Sequence, residues 1–267
     1  MTLLLLMGLF GCGGGSREEK AEKRILEAMQ EKYGKEFVLD SIGGSWGTMN
    51  NNTLKAVVRP ADDDTLKVPV EITKDLKDVY DMYLNQAVAR NEQPKIEAIG
   101  KKYWPEGQWV VVNDTKLRYP EHNDTSMPYT EFIKLYPTNT QIVTTCLNIE
   151  DYMDSKGMID TEAEVKKYIA YAKELAEQNY VSSQVSLLFL TPEALGKLEE
   201  AKRSEKSVLG FYMREQESGE ISIATMVTLN INAEGKVVES EDKIKAMFDK
   251  DIWKQNRQQI SGQKGAL

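Results

Sequence analysis

The sequence predicts an α+β fold in which antiparallel sheets carry helices packed on one face. Two observations lead there. Short segments of period-two hydrophobicity alternate with turns rich in Gly, Pro, Asn and Asp, the pattern of strands joined locally. Amphipathic stretches of helical period flank these strand groups, so that a helix, three strands and a helix come first, and a helix, a strand, an inserted helix, two strands and a helix come later. Helices that bury one stripe against a sheet face account for both runs. The order predicts two degenerate helix–strand–strand–strand–helix modules, although identity between the halves is too low to establish a duplication.

Residues 17–33 form the first predicted helix, with Ile25, Ala28, Met29 and Tyr33 at helical spacing and Gly34 ending it. EFVLDSI reads as a strand, GGSWGTMNNN as a long turn and TLKAVVR as a second strand. After the turn PADDD, LKVPVEI is a third strand, and Pro69 places it at an edge or bulge. The apolar stripe Leu76, Val79, Tyr80, Tyr83, Leu84, Ala87 and Val88 predicts a strong helix. Pro94 interrupts it, and a short helix is expected to resume through Ile96 and Ile99 toward Trp104.

Residues 105–138 contain four of the eight prolines and read as an irregular connector. QWVVVND is a strand candidate within it, and PYTEFIKLY a short helix. TQIVTTCLNI reads as a buried strand. Thr161 and Glu164 are spaced as a capping box for a helix whose inner face is Val165, Ile169, Ala172 and Ala176. SSQVSLLFLT is a strand, and Thr191–Pro192 opens a helix. KSVLGFYMRE and EISIATMVTLNIN are expected as a hairpin around Gly219, the second strand presenting Ile221, Ile223, Thr225, Val227, Leu229 and Ile231 on one face. A last helix is predicted near 241–253, followed by a tail at 254–267.

The chain has 34 basic and 42 acidic residues and a formal charge of -8. The excess lies late: residues 13–104 hold 15 basic and 16 acidic residues, and residues 105–267 hold 19 and 26. That balance argues against nucleic acid, whose phosphates require a basic footprint, and supplies no polybasic patch for anionic lipid. Hydrophobic residues at 41% are ordinary for a folded chain.

The motifs that carry chemistry elsewhere are incomplete. Gly43–Gly44–Ser45–Trp46–Gly47 matches G-x-S-x-G, but a strand follows where a nucleophile elbow requires a helix. No Lys–Ser/Thr completes a phosphate loop, and the single histidine, His122, cannot build a histidine zinc site with one spare cysteine. In DYMDSKGMIDTE, aligning Gly157 with the loop glycine puts Tyr152, Lys156 and Ala163 at calcium-ligand positions, so no metal site is expected there. Asp62, Asp63 and Asp64 read as a solvated turn, and Cys146 as a small buried hydrophobe. No catalytic residue, cofactor or metal is assigned. Trp104, Trp109, Tyr119, Tyr129 and Tyr136, with Tyr103 and Phe132, crowd the connector. Two readings stay open for them: a recognition surface for a peptide or glycan, or a plug at the joint between two sheets.

The first eleven residues carry no charge and end at Cys12, followed by Gly13–Gly14–Gly15–Ser16. That run is shorter than the roughly 20 residues a spanning helix needs, and it matches a signal h-region. Leu9–Phe10–Gly11–Cys12 resembles the lipobox of bacterial lipoproteins, and the signal region with the Lys- and Glu-rich body resembles uncharacterised lipoproteins of Gram-positive bacteria. The resemblance implies a cleaved signal at 1–11, a lipid on Cys12, a flexible linker to residue 18, and anchoring at the outer face of the cell membrane. The organisation is then an N-terminal module at 19–104, the connector at 105–138 and a C-terminal module at 139–253. The function expected is a membrane-tethered binding module for a protein or envelope component, an inhibitor or immunity protein being one version. The rivals are an envelope hydrolase using carboxylates or Ser45, and a structural accessory subunit of a membrane complex.

Overall fold

The computed structural model describes residues 16–43, 52–115, 119–155, 159–204, 207–220 and 223–248. It is an α+β structure built on two four-stranded sheets that do not close on themselves. Helix α1 (Arg17–Tyr33) starts at a capping box that sequence inspection passed over. The Ser16 hydroxyl accepts from the Glu19 amide, and the Glu19 carboxylate accepts from the Ser16 amide. Gly34 ends α1 in the left-handed region at φ 66°, where a side chain would be strained.

The first sheet is a meander, β1 (Phe37–Gly43), β2 (Thr53–Pro60), β3 (Val68–Thr73) and β4 (Val79–Asp81), each strand antiparallel to the next. Ala21, Ile25 and Met29 of α1 pack on its inner face with Leu54, Ala56, Val58, Val68, Val70 and Ile72. Pro69 lies where β4 no longer pairs, since that ladder begins at Val70 opposite Asp81. Its missing amide therefore costs no ladder bond.

The predicted helix from Leu76 is corrected: Leu76 has φ 62°, Val79–Asp81 are strand, and α2 (Tyr83–Gly100) begins after them. Asp81, 2% exposed, fixes that start by accepting from the Tyr83 amide, the Tyr33 hydroxyl and the Lys32 ammonium. Pro94 does not break α2, which runs through it as one helix. Leu84, Val88, Ile96 and Ile99 anchor both halves of that helix in a single core, and burial outweighs the lost bond.

The second sheet comprises β5 (Gln108–Thr115), β6 (Asn139–Asn148), β7 (Ser183–Leu190) and β8 (Ile223–Ile231) in that order. The strand candidate of the connector is thus the edge strand of this sheet. Strands β6 and β7 are parallel, with α4 (Thr161–Glu177) between them, and the other pairs are antiparallel. The cap of α4 is corrected from Thr161 to Asp160, whose carboxylate accepts from the Ala163 amide; Asp is at least as good an N-cap as Thr.

One face of this sheet packs against α2, α3 (Tyr129–Leu135), α4 and α8 (Glu241–Phe248). The opposite face is covered too, by α5 (Pro192–Gly196), α6 (Leu198–Arg203) and α7 (Val208–Ser218), with Cys146, Leu188 and Leu190 beneath them. Helices on one face therefore describe the first sheet, and the second carries an extra layer. Helix α7 replaces the expected strand KSVLGFYMRE. Val208, Phe211, Tyr212 and Glu215 are buried at helical spacing, the Ser207 hydroxyl caps the Gly210 amide, and Gly219 is the left-handed C-cap instead of a hairpin turn.

Candidate functional site

Most of the aromatic residues of the connector are core: Trp104, Trp109, Tyr129, Phe132 and Tyr136 are buried. Trp104 is fully buried; its indole N–H donates to Glu164 Oε2 at 2.8 Å, and its ring meets Tyr171 edge-on at 5.4 Å. Trp109 donates to the Tyr171 hydroxyl at 3.2 Å, in a slot that exists because residues 100 and 107 lack side chains. A Cβ on Gly100 would lie 2.2 Å from the Trp109 ring, and one on Gly107 would lie 2.7 Å from it. Tyr129 stacks on Tyr180 and donates to the Val181 carbonyl, and Tyr136 meets His122 Nδ1 at 2.8 Å. Burial pushes the Tyr129 phenol up to about 12. The surface reading of Trp104, Trp109, Tyr129 and Tyr136 is corrected accordingly: large apolar rings gain more in the joint between α2, β5 and α4 than in water. Tyr119 alone of the five is half-buried, against exposed Tyr80 at 5.6 Å between ring centres, and burial followed by the Glu71 carboxylate raises its phenol.

Cys12 and Ser45 lie outside the described residues. Cys146 is buried, and desolvation pushes its thiol up to about 12, which suppresses the thiolate. The three adjacent aspartates diverge, Asp62 toward Lys35, Asp63 toward Arg90 and Asp64 toward Arg203, so each faces its own cation. Among the described residues no group of His, Cys, Asp or Glu is arranged to hold a metal ion, and no helix is long and apolar enough to cross a membrane.

What the structure adds is a cleft of about 210 Å³ between the two sheets. One wall is the outer face of the first sheet at Val57 and Pro69, with Leu66 beside it. The other is formed by Val110 and Val112 of β5 and Val208 at the start of α7. Helix α2 supplies a polar stripe at i, i+4 and i+7: Gln86, Arg90 and Gln93. Two of these close the edge of the second sheet. Gln93 Oε1 accepts from the Val111 amide, and Gln86 Nε2 donates to the Asn113 carbonyl, each at 3.3 Å. Both amide side chains thus stand where a neighbouring strand would make its bonds.

Among the described residues the charge of this cleft has one sign: Lys67, Arg90 and Lys202 line it, and no carboxylate does. Their acidic partners, Asp40 at 2.5 Å, Asp63 at 3.2 Å and Glu199 at 2.6 Å, are not lining residues. The hydroxyls of Thr65, Ser204 and Ser207 complete the polar rim. A second cleft, about 320 Å³, shares Leu66 and Arg90 with the first and has mixed charge, with Lys35 facing Asp62 and Arg90 facing Asp63. A third, about 420 Å³, shares Gln93 and Lys202 with the first and is lined by Glu97, Lys101 and Glu106. Sequence reasoning missed the first cleft because its residues lie as far apart as Val57 and Val208. The Gln86–Arg90–Gln93 stripe was its one local signal.

A scan against protein-family models and a search of the curated proteins return no match to this chain. Among solved structures, the crystal structure of a DUF5037 family protein from Ruminococcus gnavus is similar, with a TM-score of 0.53 over 85% of this chain and 98% of its own. At 15% sequence identity, that likeness shows a shared fold.

Proposed function

We propose that the protein is a binding module of the cell envelope, tethered to the outer face of the membrane by lipid on Cys12, and that it takes its ligand in the cleft between the two sheets. The observation that carries this reading is the composition of that cleft: apolar walls of Val57 on one side and Val110, Val112 and Val208 on the other, with a few convergent polar groups. Ligand sites combine those features, the apolar part supplying affinity and the polar part orientation. The tether rests on Leu9–Cys12 and the Gly–Ser spacer, which leaves four residues between the lipidated cysteine and α1 at Arg17. Two or more acyl chains hold a protein stably on a bilayer without help from its surface.

The test has two arms. With a complete signal, the Cys12→Ala variant is expected to lose palmitate labelling and leave the membrane fraction, and unchanged labelling would remove the tether. Methyl-labelled protein titrated with fractionated envelope extract is expected to show saturable shifts at Val110, Val112 and Val208 while the core residue Val185 stays fixed. Extracts that move none of those methyls would remove the cleft.

A further inference from the structure

Resting on the cleft as the binding site, we propose that its ligand is a small amphipathic anion: a short aliphatic chain ending in a carboxylate or phosphate. The polarity of the cleft runs against that of the molecule. The chain carries -8 overall, yet among the described residues this cleft presents Lys67, Arg90 and Lys202 and no acidic residue. The three cations come from separate places, the approach to β3, the middle of α2 and the last turn of α6, so no single helix face or loop accounts for their convergence.

The cations are partly withdrawn from water, with Lys67, Arg90 and Lys202 side chains 18%, 38% and 23% exposed. A charge held in that environment acts on a guest through a lower effective dielectric than one on an open surface. Each is paired, Lys67 with Asp40, Arg90 with Asp63 and Lys202 with Glu199, the last an i,i+3 pair on one helix. An i,i+3 pair with a largely exposed carboxylate contributes little, so a guest anion competes for Lys202 at small cost.

The other half of the ligand follows from the apolar walls. Val57, Leu66, Pro69, Val110, Val112 and Val208 offer methyl and methylene surface with no polar atom of their own side chains to satisfy. An inorganic anion would leave that surface wet, whereas an alkyl chain covers it at about 0.8 kcal/mol per buried methylene. The volume sets the size. About 210 Å³ is below the roughly 300–1,000 Å³ of sites for drug-sized ligands, which favours a chain of a few carbons over an extended peptide. Ser207 caps α7, an eleven-residue helix whose first turn opens on the cleft, and its positive end adds to the field the lysines create.

The test uses the whole chain with methyl labels, titrated separately with hexanoate, hexyl phosphate, hexylammonium, hexanol and inorganic phosphate at one ionic strength. Hexanoate or hexyl phosphate is expected to shift the Val110, Val112 and Val208 methyls and to bind about tenfold more tightly than hexylammonium or hexanol. The stronger of the two anions separates a carboxylate from a phosphate ligand. Lys202→Gln, which removes one of the three cations, is expected to weaken anion binding severalfold and hexanol binding far less, with the urea midpoint reporting on the fold; equal weakening of both would overturn the charge argument. Hexylammonium or hexanol bound as tightly as the anions would overturn the anionic class while leaving the cleft a binding site. Inorganic phosphate bound as tightly as hexyl phosphate would overturn the amphipathic class. Acidic extended peptides bound more tightly than either hexyl anion would overturn the small-ligand class. Absence of methyl shifts with all five probes would overturn the cleft reading beneath the proposal.

Discussion

Replacing Trp104 tests the joint on which the second core depends. The indole is fully buried among Tyr103, Tyr168 and Tyr171, and its N–H donates to Glu164, itself 5% exposed. Trp104→Ala removes the ring and leaves a cavity, which typically costs about 3–5 kcal/mol. Trp104→Phe keeps much of the packing but withdraws the donor from a carboxylate, and a bond to a charged group is worth roughly 1.5–3 kcal/mol. For a chain this long, 1 kcal/mol moves the melting temperature by roughly 2–4 °C, so the alanine variant is expected to melt about 6–20 °C lower. Glu164 keeps one partner in either variant, the Lys167 ammonium at 2.6 Å, which limits the penalty of the vacated oxygen. Urea titrations of the two variants, crossed with Glu164→Gln, measure the packing and hydrogen-bond parts separately. A loss below about 1 kcal/mol for Trp104→Ala would refute the reasoning, because it would mean the ring does not fill the joint. Equal losses for Ala and Phe would refute the packing part alone.

Gly100→Ala is expected to destabilise by about 1–3 kcal/mol, although Ala is the better helix former by about 1 kcal/mol, because the new methyl meets rigid indole carbons; calorimetry showing a gain would contradict this. Cys146 is expected to react slowly with a thiol reagent in the folded protein and fast in denaturant. Its raised thiol pKa also has a sign. The folded state keeps the proton to about 12 while the unfolded chain loses it from 9.0 upward, so the contribution is full below pH 9 and is lost as pH rises toward 12. The alkaline decline in urea stability is therefore expected to be shallower in Cys146→Ala, and parallel slopes would argue against it.

The legible parts of the fold are those where one periodicity acts alone. In β2 the alternation of Leu54, Ala56 and Val58 inward with Lys55, Val57 and Arg59 outward is plain in the sequence, and α1 shows its stripe and its glycine stop. Where propensity and periodicity conflict, the sequence misleads. Val208, Phe211 and Tyr212 favour strands individually, but their spacing with Glu215 is helical, and spacing prevails because it decides which side chains reach the core. Helix α4 shows the same limit in milder form: Val165 and Ala172 face inward as expected, while Tyr168, Tyr171 and Leu175 are buried more deeply than Ile169 or Ala176. The aromatic residues of the connector are visible as a cluster, yet composition does not say which side of the chain they face. The cleft leaves only the Gln86–Arg90–Gln93 stripe in the sequence, because its two walls, from the first sheet and from β5 with α7, meet only in the folded chain.

The glutamines on α2 bear on how the molecule behaves in company. A sheet edge with unpaired amides and carbonyls is a template for another chain, and the tether proposed at Cys12 would multiply encounters between identical molecules. At Val111 and Asn113 that template is already read, by side chains that satisfy the backbone and cannot propagate a ladder. A second copy approaching β5 would have to displace two amides before forming its first bonds. Crowding, which favours fibre growth from an open edge, finds at these positions an edge that has been terminated.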